Sequence, residues 1–308
     1  MSRHILYIIN PISGTRKKKD LQAFIEKETT ERNISFSIFP SVANGDYSFL
    51  HSIIREKQVT DIVVAGGDGT VSQVINSLMD FDLNFGIIPC GSGNGLAYTA
   101  KISKDPFKAL QTIFKGKAVA TDGFYINDLS LLGEGRHFAC MLCGLGFDAK
   151  VAHDFAQQPK RGLSTYIKQV VKNFFAAHTY SFEIKLNKES FHSEAYFISI
   201  ANSNQFGNNF TIAPKASLSD GLLDIVIVTS QNKLSVLLQT LRQISGRNKL
   251  QAETAVDKKK AVIYFQTDSI SITNISNAPL HIDGEPAETP EKINVQVKPG
   301  CFKLIQPA

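Results

Sequence analysis

The stretch Asp61-Ile62-Val63-Val64-Ala65-Gly66-Gly67-Asp68-Gly69-Thr70 sets four apolar residues ahead of a glycine cluster, and Thr70 to Ile75 continues at helical spacing. The pattern predicts a buried strand, a glycine turn and a helix N-terminus. Main-chain N–H groups left unpaired at such a start favour an anion, and glycines let a phosphate approach without a clashing Cβ. Asp68 adds a carboxylate, which repels an anion unless a metal ion or cationic group stands between them. Glycines paired with Asp therefore point to a nucleotide accompanied by Mg²⁺.

Two further turns have related chemistry. The apolar run His4 to Ile9 ends in Asn10-Pro11-Ile12-Ser13-Gly14, with Arg16 and Lys17 to Lys19 close behind, and Asn84 to Pro89 ends in Cys90-Gly91-Ser92-Gly93-Asn94-Gly95-Leu96-Ala97. No Gly-x-x-x-x-Gly-Lys-Ser/Thr segment is present, and the spacing is not that of a dinucleotide fingerprint. Later in the chain, Asp220-Gly221 and Asp283-Gly284-Glu285 place carboxylates beside glycines. Read singly, each Asp-Gly pair is also an ordinary hairpin turn.

Strands alternate with helices up to the helix expected over Pro106 to Lys115, so a doubly wound, largely parallel sheet is expected there. Ligands of such sheets collect beyond the carboxyl ends of the strands, where all three turns would open. Near Thr121-Asp122 the texture changes. Apolar segments then read as strands: Phe138 to Cys143, Tyr180 to Leu186, Ala195 to Ala201, Leu223 to Val228, Val262 to Phe265, Ile270 to Thr273, Leu280 to Ile282, Ile293 to Val297 and Phe302 to Ile305. Helical patterns interrupt them at Ser164 to Ala177 and Leu234 to Ile244. The expected organisation is an α/β domain over residues 1–121, on which the C-terminal tail packs back, and a β-rich, sandwich-like domain over 122–308. The cleft between domains is the expected site.

Composition narrows the function classes. The chain has 308 residues, 43% of them apolar and 20% charged, with a net charge of +5 and a sequence pI near 8.9. That balance suits ATP or an anionic membrane surface but does not argue for nucleic acid. No apolar run reaches the length of a membrane span and no signal peptide is read at Met1-Ser2-Arg3-His4, so a cytoplasmic protein with at most peripheral lipid contact is expected. Cys90, Cys140, Cys143 and Cys301 suit a reducing compartment, and Cys140 and Cys143 read as buried thiols.

Taken in order, the Asn10, Gly66, Gly91, Asp220 and Asp283 motifs resemble those of the diacylglycerol kinase catalytic-domain family, which includes bacterial diacylglycerol kinases, sphingosine kinases and ceramide kinases. The resemblance covers nearly the whole chain. It implies a phosphofructokinase-like nucleotide domain, a β-rich second domain, and ATP- and Mg²⁺-dependent transfer of the γ-phosphoryl group to a lipid hydroxyl at a membrane surface. Carried over by position, Asn10, Ser13, Gly14, Gly66, Gly67, Asp68, Gly69, Thr70, Gly91, Ser92, Gly93 and Asn94 would bind the nucleotide, with Glu285 contacting ATP or metal. Asp220 would belong to the metal site. Asp283 would be the general base, a role for which Asp68 competes. Asp122 and Asp148 are candidate substrate contacts, Lys160 and Arg161 could meet phosphate, and Phe174 and Phe175 could wall an acyl pocket. Two positions depart from the pattern: Gln73 stands where many relatives have Glu, and Gly95 replaces an Asp of the bacterial diacylglycerol kinases. They bring long-chain bases, ceramide or another lipid alcohol into contention. A kinase of a soluble alcohol or dinucleotide, and a nucleotide-binding regulator without turnover, are the alternative readings.

Overall fold

The computed structural model describes residues 3–11, 18–91, 93–130, 135–156, 177–186, 189–205, 211–231 and 233–308. Ser13, Gly14, Ser92, Lys160, Arg161, Phe174, Phe175 and nearly all of the helix expected from Ser164 to Ala177 lie outside these residues. The chain forms two units, Met1–Thr121 with Gly300–Ala308, and Asp122–Pro299.

In the first unit, β1 (His4–Ile9), β2 (Ser35–Pro40), β3 (Asp61–Gly66) and β4 (Asn84–Pro89) alternate with α1 (Lys18–Thr30), α2 (His51–Glu56), α3 (Asp68–Leu78), α4 (Gly95–Thr99) and α5 (Pro106–Lys115). The strands pair in parallel in the order β4-β3-β1-β2. Every residue of β1 and β3 is buried, as continuous apolar runs require when helices cover both faces of a sheet. Parallel pairing brings the ends of β1, β3 and β4 to one edge: Asn10 N–H donates to Ala65 O and Cys90 N–H to Gly66 O, both at 2.9 Å. Helix α3 begins at Asp68, two residues before the helical spacing becomes visible at Thr70.

The second unit is antiparallel. It contains the later part of β5 (Lys117–Asp128), then β6 (Arg136–Ala139), β7 (Leu142–Gly146), α6 (Phe147–Ala156), β8 (Tyr180–Leu186), β9 (Glu189–Ala201), β10 (Leu223–Thr229), a helix at Lys233–Ile244, β11 (Val262–Thr267), β12 (Ser269–Asn274), β13 (Leu280–Ile282), β14 (Glu285–Ala287) and the start of β15 (Lys292–Gln306). Strands β8 and β12 bury alternate residues, the signature of strands with one face on a core. Phe182, Ile184, Ile198, Ile225, Phe265, Ile272 and Val295 belong to one apolar cluster.

Two sequence expectations are corrected. The strand expected over Phe138 to Cys143 is interrupted at Cys140-Met141, because the N–H groups there donate to the Asp283 carboxylate instead of to a neighbouring strand. The strands expected at Ile293 to Val297 and Phe302 to Ile305 are one element, β15, which continues through Lys298-Pro299-Gly300. No helix among the described residues is long and apolar enough to cross a membrane.

Candidate active site

The first unit brings the glycine turns together. Gly67 caps α3 in an extended conformation and offers no side chain to its N-terminal N–H groups. Gly91 lies against it: a Cβ at Gly91 would sit 2.7 Å from Gly67 Cα and 3.0 Å from Asn94 Oδ1. Asn94 adopts the left-handed conformation, φ 58° and ψ 41°. Its carboxamide closes the turn, Oδ1 accepting from Gly91 N–H at 2.8 Å and Nδ2 donating to Gly91 O at 2.7 Å. Gly93 lies inside that turn and Gly69 in the first turn of α3. Asn10 Nδ2 donates to Thr70 Oγ1 at 2.8 Å, which ties the first turn to the second.

Asp68 also has a structural task. Its carboxylate accepts from Gly95 N–H at 3.1 Å and Leu96 N–H at 3.4 Å, capping α4 from outside that helix. A glycine at position 95 brings its N–H to a carboxylate that arrives from another helix.

In the second unit the acidic residues fall into two corners. Asp122 is buried; its Oδ2 accepts from Gly221 N–H at 2.8 Å. Asp220 is exposed and accepts from its own Leu222 N–H at 3.1 Å. Partial desolvation lifts the Asp220 carboxyl above its ordinary range, Leu222 N–H works against that lift, and the Asp122 charge adds to it. Nearby Asp224, to which the motif reading gave no role, is fully buried and accepts from the Tyr264 hydroxyl and, at 2.9 Å, from Gln266 Nε2.

The other corner is the hairpin between β13 and β14. Asp283 and Gly284 both have positive φ, 49° and 84°, as a two-residue hairpin turn of mirror type demands. The Asp283 side chain turns inward and accepts three main-chain N–H groups, from Cys140 at 3.3 Å and from Met141 and Leu142 at 3.0 Å. Glu285, two residues on, is exposed. Asp148 is buried on α6. Its Oδ1 accepts from Ala149 N–H at 2.8 Å, and Oδ2 lies 3.4 Å from His281 Nε2. A Cβ at Gly144 would come within 2.0 Å of Asp148 Oδ2, so only glycine leaves room for the pair. Burial pushes the Cys143 thiol up, and the charges of Asp283 and Asp148 push it further, so Cys143 is a protonated thiol.

Among the described residues no group of three His, Cys, Asp or Glu side chains is gathered to hold a metal ion. Mg²⁺ on a nucleotide needs only one or two carboxylates, since phosphate oxygens and water complete its shell. The exposed Asp220, raised in part by Asp122, is a donor set of that kind. It fits a nucleotide-borne cation better than a stand-alone protein cage.

With this geometry in view, residues 4–126 match the model of the diacylglycerol kinase catalytic domain, and residues 142–306 match that of the YegS C-terminal NAD kinase beta sandwich-like domain. The chain belongs to the diacylglycerol kinase family. It is similar to a protein of Yersinia pestis (strain Pestoides F) named "Probable lipid kinase YegS-like", with 27% identity over 259 residues, 79% of this chain and 80% of the relative. A solved structure described as a diacylglycerol kinase from Bacillus anthracis str. Sterne shares its fold, with a TM-score of 0.70, 19% identity, and coverage of 99% of this chain and 97% of that one. Membership in this kinase family makes the chain a phosphotransferase.

Two residues of these corners escaped the motif reading. Asp224 stands four positions after Asp220, but its partners Tyr264 and Gln266 are distant in sequence. Asn202 is visible only as a polar residue that ends the apolar run Ala195 to Ala201.

Proposed function

We propose that this family member is an ATP- and Mg²⁺-dependent lipid kinase that transfers the γ-phosphoryl group to the hydroxyl of diacylglycerol, a sphingoid base or a related lipid alcohol while associated peripherally with a membrane. The observation that carries the reading is the backbone contact of the Gly67 and Gly91 turns at the carboxyl edge of the parallel sheet, beside an α3 N-terminus that no capping side chain fills. A triphosphate suits that place because N–H groups face it and no Cβ stands in the way. Asn10, Ser13, Gly14, Gly66 to Thr70 and Gly91 to Asn94 bind the nucleotide in this reading. Asp220, with Asp122 behind it, holds the Mg²⁺ that neutralises phosphate charge during transfer.

In the reaction the acceptor oxygen forms a bond to the γ-phosphorus, the bond from that phosphorus to the bridging oxygen breaks, ADP leaves, and the hydroxyl proton passes to a carboxylate. Asp283 was the expected base, but its oxygens already receive three N–H groups. Asp68 is likewise engaged with Gly95 and Leu96. Both are clasps in this reading, and the exposed Glu285 takes the proton. Asp148, closed against His281, supports the acceptor side from beneath.

The test is transfer of labelled γ-phosphate from ATP to diacylglycerol, monoacylglycerol, sphingosine and ceramide in mixed micelles. Glu285→Gln should cut kcat by about a hundred-fold or more without shifting the melting temperature, whereas Asp283→Asn should lower both. Wild-type kcat in Glu285→Gln would return the base role to Asp283 or Asp68. Labelling of a soluble alcohol instead of every lipid would overturn the lipid assignment.

A further inference from the structure

Asn202 follows β9 and is completely buried. Its Nδ2 donates to Asp122 O at 2.8 Å and to Cys140 O at 3.1 Å. Each of those carbonyls belongs to one of the acidic corners. On one side Asp122 Oδ2 accepts Gly221 N–H, next to Asp220, and Asp122 N–H donates to Leu218 O at 2.7 Å. On the other side Cys140 N–H donates to Asp283, whose turn presents Glu285. The main chain repeats the connection, since Asn202 N–H and Ser203 N–H both reach Met141 O, at 2.8 and 3.0 Å.

The orientation of the carboxamide is forced. Turned over, Oδ1 would face two carbonyl oxygens and neither could be satisfied. As it stands, Oδ1 is buried and has no hydrogen-bonding partner among the described residues. Neither a leucine nor an aspartate of similar shape could bond both carbonyls, the first lacking donors and the second opposing oxygen to oxygen.

We propose that Asn202 is a positioning residue that locks the Asp122–Asp220 corner and the Asp283–Glu285 hairpin to each other, fixing the spacing between the carboxylates that serve metal and acceptor. The assignment of what those carboxylates serve rests on the kinase reading above; the lock itself does not. Transfer depends steeply on such spacing, so loosening the lock should reduce turnover while leaving nucleotide binding by the first unit unchanged.

The experiment combines hydrogen exchange with kinetics on the full chain. Asn202→Ser keeps one donor, and Asn274→Ser serves as control: Asn274 is also buried and also makes two carboxamide hydrogen bonds, both to Ala278. In Asn202→Ser, exchange of the Gly221 amide and of the Cys140, Met141 and Leu142 amides should rise together, about ten-fold or more, with β10 and β11 unchanged. In the same variant kcat should fall about thirty-fold while KM for ATP stays within about two-fold. The control should lose thermal stability and keep its kcat. Faster exchange at one corner alone, at neither, or evenly through the unit would overturn the proposal, and so would loosening of both corners with wild-type kcat. If the wild type labels no acceptor, the kinase reading fails while the exchange pattern still decides the lock. Should Asn202→Ser not fold, the wild type in low denaturant answers alone: both sets of amides must open with one free energy, and separate openings refute the lock.

Discussion

Asp224 has no exposure to solvent, and its oxygens are taken by the Tyr264 hydroxyl and Gln266 Nε2. Burial is the largest influence on it and pushes its carboxyl up from 3.8 to about 6; the two hydrogen bonds oppose that rise and the Asp220 charge adds to it. A carboxyl that holds its proton more tightly folded than unfolded contributes stability that is full at acid pH. That contribution is lost as pH rises from about 4 to about 6 and stays lost above, a cost on the order of 3 kcal/mol at neutral pH. Asp224→Asn removes the titration. Its Oδ1 can accept from Tyr264, and a reversed Gln266 amide can accept from its Nδ2. The variant should therefore melt higher than wild type at pH 7.5 and close to it at pH 4.5. Thermal melts at the two pH values decide this, and a lower melting point at pH 7.5 would mean that the charged carboxylate is needed for folding.

Strand ends and turns are the elements on which the nucleotide half of the chemistry depends. A Cβ on Gly91 would meet the Gly67 backbone, which cannot move aside without shifting the start of α3. Gly91→Ala should therefore weaken binding of a fluorescent ATP analogue about ten-fold or more and lower the stability of the first unit by about 1–3 kcal/mol, without unfolding it. A variant with normal affinity would remove the Gly67–Gly91 contact from the binding account. These turns were legible in the sequence because they are local: an apolar run of parallel-strand type followed within a few residues by glycines identifies both the element and its end. The break at Cys140-Met141 was not legible, since its cause, the Asp283 carboxylate, arrives from more than 140 residues away. The same holds for Asn202, whose two carbonyl partners lie 80 and 62 residues earlier. Strand β15 misled in the opposite direction. Lys298-Pro299-Gly300 has turn composition, yet the strand runs through it, with Gly300 at φ 54° and Val297 N–H bonded to Asp268 O. The contacts of Asp68 and Asp283 were equally out of reach, because a motif gives residue types but not which N–H groups their oxygens will receive.

At the scale of the whole molecule, the first unit is discontinuous. The chain leaves it after Thr121 inside β5 and returns to it at Gly300 inside β15, so one of its strands is supplied from beyond the whole of the second unit. That segment pairs in parallel with β4, Lys303 opposite Asn84 and Leu304 opposite Phe85, and the Phe302 ring meets Phe85 edge-on at 6.1 Å. Phe302, Leu304 and Ile305 are buried. Each such side chain is worth about 1.5–3 kcal/mol, so together they supply on the order of 5 kcal/mol, a large share of a typical domain's stability. Removing them would also leave β4 with an open, apolar edge. A chain ending at Pro299 should therefore lose ATP-analogue binding and the melting transition of the first unit, while Phe302→Ala should keep the fold and lower its stability by about 3–5 kcal/mol. Denaturant melts followed by circular dichroism test both. A truncated chain that binds nucleotide normally would show that β1 to β4 are sufficient by themselves. If it does not, nucleotide binding requires the Gly300–Ala308 segment, whatever the state of the residues between.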